Sequence, residues 1–261
     1  MSRSSPAVSV ELSEAALRHL VGIARDAGAA IMAWYHAGAT VTAKTDGSPL
    51  TSADRAGHEI IDAALKAWDP GIPVVSEEGE LPPAGQRTEW RRFWLVDPLD
   101  GTKEFISRNG EFTVNIALIE NGEPILGVVF APALPRCWFA GRGLGAWSDA
   151  EGSDPIRIHS APAAPGAPLV VVESRSHPSE RLEHYLRTIE VSGRIQAGSS
   201  LKFCMVAEGK ADIYPRFGPT MEWDVAAGDC IFRNSGRGTP RHSPLRYNKP
   251  DLRNGDFILG I

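Results

Sequence analysis

Two aspartates lie three positions apart in the segment LVDPLDGTKEF, residues 95–105. If the carboxylates of Asp97 and Asp100 approach to about 4 Å, they repel each other by roughly 4 kcal/mol at an effective dielectric constant near 20. The pair therefore needs protonation, dispersal into solvent or a cation. Pro98 fixes the backbone between them, and Gly101 permits close approach of the main chain to a ligand, which favours a binding loop.

Further acids come from two distant parts of the chain. Glu77 and Glu78 end the apolar run VVSEEG, and Asp224 begins the helical pattern of EWDVAAG. Carboxylates together with a main-chain carbonyl suit Mg²⁺, which commonly bridges to a substrate phosphate. Taken singly, an Asp-Gly pair also fits a turn, Asp224 a helix cap and the paired glutamates a solvated loop. The residues alone leave both interpretations open.

Composition limits the class of protein. The 261-residue chain is 43% hydrophobic, enough for one large domain or two smaller ones with buried cores. A formal charge of −5 provides no basic surface for a nucleic-acid polymer, which favours a small-molecule partner. Cys137, Cys204 and Cys230 are widely spaced, which argues against disulfides or a thiolate zinc site and favours the cytoplasm.

No run approaches the roughly 18 apolar residues of a membrane span, so we expect no integral membrane segment. Peripheral association at the inner membrane surface stays open.

Hydrophobic periodicity predicts the elements that position the acids. An amphipathic helix runs from Leu12 to Trp34 and closes near Gly38, and a second helix spans residues 52–68. Strands are predicted in IPVVSEE, RRFWLVDP, EFTVNIALIE, GEPILGVVFAP, CWFA, PLVVVES, ADIYPRF and DFILGI, and further helices in PSERLEHYLRTI, SSLKFCMVAEG and WDVAAGDCIFRNSG.

A segment rich in Pro, Ala and Gly near residues 150–165 predicts a surface crossing between two parts of the chain. We expect an N-terminal α+β half that binds metal, residues 1–155. The C-terminal half, residues 156–261, is expected to be α/β and contains Asp224.

Four motifs follow one another along the chain: KTDGSPLTSAD, SEEG, WLVDPLDGTKEF and EWDVAAG. Together they resemble the inositol monophosphatase superfamily of Mg²⁺-dependent, lithium-sensitive phosphatases. The runs NGEFTVNIALI, GSSLKFCMVAEGKADIYPRFGPT and SRSH are similar to its CysQ type, the 3′(2′),5′-bisphosphate nucleotidases. The resemblance covers nearly the whole chain. It implies an α/β (α+β) fold, a layered αβαβα sandwich of the inositol monophosphatase and fructose-1,6-bisphosphatase type, with an antiparallel sheet in the N-terminal half.

The resemblance implies that the acids hold two Mg²⁺ ions, with a third, mobile ion as an extension. Glu77 would be a metal ligand, Asp97 would bridge both ions, and Leu99 would contribute its carbonyl oxygen. Asp100 and Asp224 would hold the second ion. Neutralisation by these cations would explain why two aspartates tolerate such close spacing.

The catalytic residues implied by the resemblance are Asp54, Thr102 and Glu77. Asp54 would orient the Thr102 hydroxyl toward a metal-bound water that attacks phosphorus in line. Structural roles compete with this interpretation. Thr102 can bond within its own turn, and Asp54 can complement the positive end of the helix that begins near Ser52.

The resemblance also implies a set of substrate contacts: Gly101, Thr102, Lys103, His177, Ser199, Lys202, Arg216 and Asp224. A second phosphate, away from the metals, needs a cationic contact that Lys202 or Arg216 could supply. The structural alternative is a lysine on a helix surface and an arginine at a strand end in water.

The implied activity is hydrolysis of 3′-phosphoadenosine 5′-phosphate to AMP and phosphate in sulfur assimilation. An inositol monophosphatase or a sugar bisphosphatase would share the metal chemistry, and a non-catalytic nucleotide-binding module is the alternative from another class. After WDVAAG the chain reads DCIFRNSGRG, where the family pattern has an apolar helix with a Glu and then Ala-Gly-Gly. This departure concerns base or subunit contacts, and both a monomer and a homodimer remain possible.

Overall fold

A computed structural model describes residues 10–38, 41–43, 49–150, 153–176, 179–236 and 241–260. His177, one of the expected substrate contacts, lies outside these ranges. Within them, no helix combines the length and the apolar character needed to cross a bilayer.

Two helices form the first layer. Helix α1 spans Glu14–Ala37, and its buried residues include Leu17, Leu20, Ala24 and Ile31, at steps of three, four and seven that place them on one face. A short hairpin of β1, Val41–Ala43, and β2, Pro49–Thr51, leads to helix α2, Ser52–Trp68. Both helices confirm the predicted ones.

A large sheet follows, and in the described ranges it has seven strands in sequential order. Only β3 and β4 are parallel to each other; the later neighbours are antiparallel. The Asn121–Gly122 turn joins β5 to β6 with positive φ at both residues, 52° and 75°, as the sequence predicts. The strands are β3 Val74–Ser76, β4 Arg92–Asp100, β5 Thr113–Glu120, β6 Glu123–Ala131, β7 Arg136–Gly141, β8 Gly145–Ala150 and β9 Ile156–Ile158, with short helices α3 Ala84–Arg87 and α4 Thr102–Ile106.

Both faces of this sheet are buried, which explains its nearly continuous apolar strands. Along β4, Trp94 and Val96 pack toward α1 and α2, whereas Phe93 and Leu95 enter a second core on the opposite face. The second core is covered by elements that come later in the chain.

Those later elements form the remaining layers. Strands β10 and β11 pair in parallel, β12 and β15 pair antiparallel, and Val172 N donates to Ile213 O at 2.9 Å to join β10 to the start of β12. The elements are β10 Leu169–Ser174, α5 Glu180–Leu186, β11 Val191–Ala197, α6 Leu201–Ala207, β12 Tyr214–Arg216, β13 Thr220–Met221, α7 Glu222–Asn234, β14 Arg253–Asn254 and β15 Phe257–Leu259.

Helices α6 and α7 lie between the two sheets, and α5 covers the outer face of the smaller sheet. Phe203 of α6 packs against Gly228 of α7 so closely that a Cβ there would lie 2.6 Å from Phe203. Leu182 and Leu186 of α5 pack with Val171 on the other side. The order of layers is therefore αβαβα, which confirms the expected fold class.

Some strands differ from the sequence expectation. The segment expected as a surface crossing near residues 150–165 contains β9, which pairs with β8 at the edge of the large sheet. Strand β11 was not expected, because its side chains are mostly exposed or half-buried and lack an apolar run. The division into halves at residues 155 and 156 stays a prediction.

Candidate active site

A β-bulge in β4 places both aspartates of the LVDPLDG segment on one side of the sheet. Asp97 pairs with Asn115 and Asp100 pairs with Thr113, so three steps on β4 oppose two steps on β5. Residues three apart in a regular strand would face opposite sides. The extra residue therefore brings both carboxylates onto one face, and Pro98, which has no amide hydrogen to donate, fits at the bulge.

Among the residues that the structure describes, the carboxylates of Glu77, Asp97 and Asp224 form a cluster. One oxygen of each lies within 4.8 Å of the others. We call these three residues the acidic wall. Glu77 directly follows β3, where its amide donates to Val96 O at 3.1 Å. The Asp224 carboxylate accepts from Met221 N at 2.8 Å in the first turn of α7.

Burial and repulsion by neighbouring carboxylates disfavour the charged forms of Asp97 and Asp224. Burial, followed by the charges of Glu77 and Asp100, raises the pKa of Asp97 well above its usual value. Burial and the Asp100 charge likewise raise the pKa of Asp224. A bound cation would reverse this preference, because it adds the opposite charge inside the cluster.

Asp100 lies beside the acidic wall with a different set of contacts. Its Oδ2 accepts from Ser199 Oγ at 2.7 Å and from Asn115 Nδ2 at 3.2 Å. Leu99, which precedes it, directs its carbonyl oxygen to the Thr102 hydroxyl at 3.4 Å. The assignment of Leu99 and Asp100 as metal ligands stays a prediction.

Asp54 combines a structural contact with proximity to Thr102. As the third residue of α2 it completes a capping box, with Thr51 N donating to its Oδ2 at 2.7 Å. Its Oδ1 is 3.4 Å from the Thr102 hydroxyl, which is long for a hydrogen bond between oxygens. The helix-capping alternative is therefore observed, and the catalytic pairing of Asp54 with Thr102 stays a prediction.

The loop after β4 requires a glycine. Gly101 has φ of 92° in the left-handed region, and a Cβ there would lie 3.2 Å from Glu104 Oε2 and 3.3 Å from Glu111 O. This conformation turns the chain from the bulge into α4, so Thr102 and Lys103 line the same cavity as Gly101.

That cavity has a volume of about 220 Å³. The lining also includes two cationic side chains, Lys202 of α6 and Arg216 of β12, which we call the basic wall. The cavity is lined by Glu77, Asp100, Gly101, Thr102, Lys103, Glu104, Ser174, Ser199, Ser200, Lys202, Phe203, Tyr214, Arg216, Thr220, Asp224 and Val225.

The basic wall is held by main-chain carbonyls and an aromatic ring. Lys202 is 6% exposed, its ammonium donates to Ala197 O at 3.3 Å and to Ser199 O, and it lies 5.5 Å from the centre of the Tyr214 ring. Burial lowers the pKa of Lys202 to about 8. The alternative of a solvated lysine on a helix surface is therefore wrong.

Arg216 donates through Nη2 to Pro219 O at 3.3 Å. Its buried Nε has no hydrogen-bond partner within the described ranges. The guanidinium thus retains donor capacity beside the cavity, and a buried donor without an acceptor is unfavourable.

The structure brings most of the expected site residues together. Asp97 clusters with Glu77 and Asp224, and the expected substrate contacts that the structure describes line the cavity. Sequence reasoning missed Asn115, Ser200, Glu104 and Tyr214. Only Asn115 had a visible signal, because it is a polar residue within the otherwise apolar run FTVNIALI.

Comparison with known proteins defines the family. The profile of the Inositol monophosphatase family matches residues 13–255. The chain belongs to the inositol monophosphatase family, as the resemblance predicted.

Two curated relatives show a more specific similarity within this family. The chain is 51% identical over 219 residues to the 3′(2′),5′-bisphosphate nucleotidase CysQ of Salmonella typhimurium, covering 82% of this chain and 86% of that protein. It is 50% identical over 218 residues to the protein of the same name from Escherichia coli K12, covering 82% of this chain and 85% of the relative.

Solved structures agree with the fold. A crystal structure of CysQ from Bacteroides thetaiotaomicron, described as a bacterial member of the inositol monophosphatase family, matches with a TM-score of 0.78 and 40% identity over 95% of this chain and 97% of that one. A Thermotoga maritima inositol monophosphatase matches with a TM-score of 0.70 and 26% identity, covering 84% and 83% of the two chains.

Proposed function

We propose that the protein is a Mg²⁺-dependent phosphomonoesterase that hydrolyses 3′-phosphoadenosine 5′-phosphate to AMP and phosphate. The observation that carries the proposal is a single cavity that Glu77 and Asp224 of the acidic wall line together with both residues of the basic wall. The relatives named as bisphosphate nucleotidases support the same activity, and a role in sulfur assimilation follows from that substrate.

The donor set fits Mg²⁺. The three carboxylates of the acidic wall are hard oxygen ligands and converge from separate elements. Asp100 and the Leu99 carbonyl would complete the sites for two ions, with a third as an extension. When bound, Mg²⁺ would lower the pKa of a coordinated water and neutralise charge on the phosphoryl group.

The loop that follows the bulge would receive the phosphate to be cleaved. The Gly101 and Thr102 amides and the Lys103 side chain provide donors on the cavity wall. Asp54 would accept a hydrogen bond from the Thr102 hydroxyl and so orient it toward the attacking water. Because such transfers depend mainly on positioning and charge neutralisation, small displacements of this loop should strongly reduce turnover.

The basic wall would bind the second phosphate. Lys202 and Arg216 line the same cavity as the acids, and the buried Nε of Arg216 has no hydrogen-bond partner within the described ranges. Ser199 would add a hydroxyl contact beside Asp100. A substrate with one phosphate cannot use both walls fully, which favours a bisphosphate over inositol monophosphate.

The test is phosphate release from three substrates compared side by side: 3′-phosphoadenosine 5′-phosphate, inositol 1-phosphate and fructose 1,6-bisphosphate. Each is measured with Mg²⁺ or EDTA, using wild type and Asp97→Asn. We expect Mg²⁺-dependent preference for the nucleotide, abolished by the substitution. Preference for inositol or sugar phosphate would overturn the substrate assignment, and binding without release would indicate a non-catalytic module.

A further inference from the structure

Asn115 of β5 lies between Asp100 and the segment that carries Asp224, two parts of the proposed metal site. Its side chain is completely buried. The amide nitrogen donates to Asp100 Oδ2 at 3.2 Å and to Ser200 Oγ at 3.0 Å, so its two hydrogens have separate acceptors. The amide oxygen accepts from Thr113 Oγ1 at 2.8 Å. The orientation of Asn115 is therefore fixed from three sides.

These bonds continue to the acidic wall. Ser200 Oγ donates to the main-chain carbonyl of Asp224 at 2.6 Å. A chain of hydrogen bonds thus runs from the Asp100 carboxylate through Asn115 and Ser200 to the backbone of Asp224. It connects β4 of the large sheet to the first turn of α7, elements that are distant in sequence.

We propose that Asn115 is a positioning residue that fixes Asp100 relative to Asp224 before any metal binds. The inference rests on the proposed function, because it assigns both aspartates to the metal site. Groups that hydrogen-bond to metal ligands restrict their orientation, and their loss typically reduces metal affinity or activity about 10–100-fold. Asn115 differs from a common packing residue because both of its amide hydrogens serve this one connection.

The experiment measures Mg²⁺ binding to the metal-free full chain by isothermal titration calorimetry without substrate. Asn115→Leu keeps the branched shape and the number of side-chain heavy atoms but removes both donors. Ser200→Ala removes the next group in the chain of hydrogen bonds and leaves less risk of misfolding. Asn234→Leu is the matched control, because its amide donates to Cys230 O at 2.8 Å near the end of α7 opposite Asp224.

We expect Mg²⁺ affinity to fall about tenfold in both Asn115→Leu and Ser200→Ala, and to stay near wild type in Asn234→Leu. The double variant should lose little more than the larger single loss, because both changes break the same connection. Circular dichroism and the thermal midpoint of each variant establish that it is folded.

Wild-type affinity in folded Asn115→Leu, or in Ser200→Ala if Asn115→Leu does not fold, would overturn the positioning role while leaving the proposed function intact. Losses that multiply in the double variant would also overturn it, because the two residues would then act independently. A wild-type chain that binds no Mg²⁺ would overturn the proposed function as well.

Discussion

The two walls of the cavity carry opposite charge and are stabilised in opposite ways. In the acidic wall, carboxylates accept hydrogen bonds from main-chain amides. For example, Leu99 N donates to Asp97 Oδ1 at 3.0 Å. In the basic wall, Lys202 and Arg216 donate to main-chain carbonyls. The residues of the acidic wall belong to the end of β3, to β4 and to α7. Those of the basic wall belong to α6 and the smaller sheet.

The difference lies in what each wall needs from a ligand. Three carboxylates within 4.8 Å repel one another. Hydrogen bonds from main-chain amides do not remove their net charge, so this wall needs a cation. The cations of the basic wall already donate to main-chain carbonyls, and the buried Nε of Arg216 is a further donor for an anion. We infer that the acidic wall determines the reaction and the basic wall selects the substrate, and the predictions below test this separation.

The largest effect is expected from Asp97→Asn. Loss of a ligand from the acidic wall should reduce Mg²⁺-dependent phosphate release by about 10²–10³-fold, since metal charge stabilisation contributes several kcal/mol to the transition state. Steady-state assays over a range of Mg²⁺ concentrations measure this. Turnover within tenfold of wild type at saturating Mg²⁺ would mean that the acidic wall does not determine the reaction.

The same substitution should have the opposite effect on metal-free stability. The raised pKa of Asp97 means that the folded state binds this proton more tightly than the unfolded state does, so stability falls as pH rises through the folded pKa. Asp97→Asn should remove this contribution and raise the thermal midpoint in EDTA at neutral pH. A lower midpoint than that of wild type would contradict the charge argument.

A smaller and more selective loss is expected from Lys202→Met. A hydrogen bond to a charged group contributes about 1.5–3 kcal/mol, which corresponds to roughly 10–100-fold in kcat/KM for 3′-phosphoadenosine 5′-phosphate. Adenosine 3′-monophosphate lacks the second phosphate, so its hydrolysis should change little. Equal losses for both substrates would place Lys202 in the reaction rather than in substrate selection.

Lys210→Met is the matched control for that experiment. Lys210 follows α6, its side chain is 50% exposed, and its ammonium pairs with Glu208 at 2.7 Å, away from the cavity lining. The two lysines thus carry the same charge in the same region of the chain. We expect Lys210→Met to hydrolyse both nucleotides at wild-type rates.

The basic wall should also give substrate binding a pH dependence of its own. With its pKa lowered to about 8 by burial, Lys202 loses its proton as pH rises above that value. KM for the bisphosphate should then increase, while KM for adenosine 3′-monophosphate should not follow. Lys202→Met should lack the difference, and a wild-type KM that stays constant from pH 7 to about 9 would contradict this assignment.

Local signals in the sequence predicted the first two helices and the acids, whereas the order of layers and most cavity contacts were implied by the family resemblance. Periodic apolar positions identified α1 and α2, and the acids appeared at the ends of apolar runs. Strand β11 was missed because its pairing with β10 is non-local and its side chains alternate with no strong contrast in polarity.

The relation between Asp97 and Asp100 needed the structure. A period of two places positions three apart on opposite faces, and the bulge that corrects this appears only in the pairing with β5. Burial of Lys202 likewise depends on packing between α6 and the smaller sheet. Local sequence predicts neither feature, although Pro98 marks the position of the bulge in β4 and Asn115 is a polar residue within an apolar strand.

The smallest effect is expected from Arg175→Met, which removes an ion pair beside the segment that leads to the basic wall. Glu111 accepts two hydrogen bonds from Arg175, at 2.7 and 2.8 Å, and one from the amide of Gly198 at 2.8 Å, just before Ser199. The Arg175 side chain is 41% exposed. Arg175→Met should therefore reduce the free energy of unfolding by only about 0.2–1 kcal/mol, and less at high salt.

The pH dependence of that small loss distinguishes an ion pair from packing. Burial raises the pKa of Glu111, but the hydrogen bonds from Arg175 and Gly198 outweigh it and lower the pKa overall. The stabilisation is thus present above the ordinary pKa of a glutamate and is lost as pH falls through the lowered value. Urea unfolding of wild type and Arg175→Met should converge at acidic pH and at high salt. A difference that persists under both conditions would mean that Arg175 stabilises the segment before Ser199 through its aliphatic contacts. The support of the basic wall would then depend less on charge than its ion pair indicates.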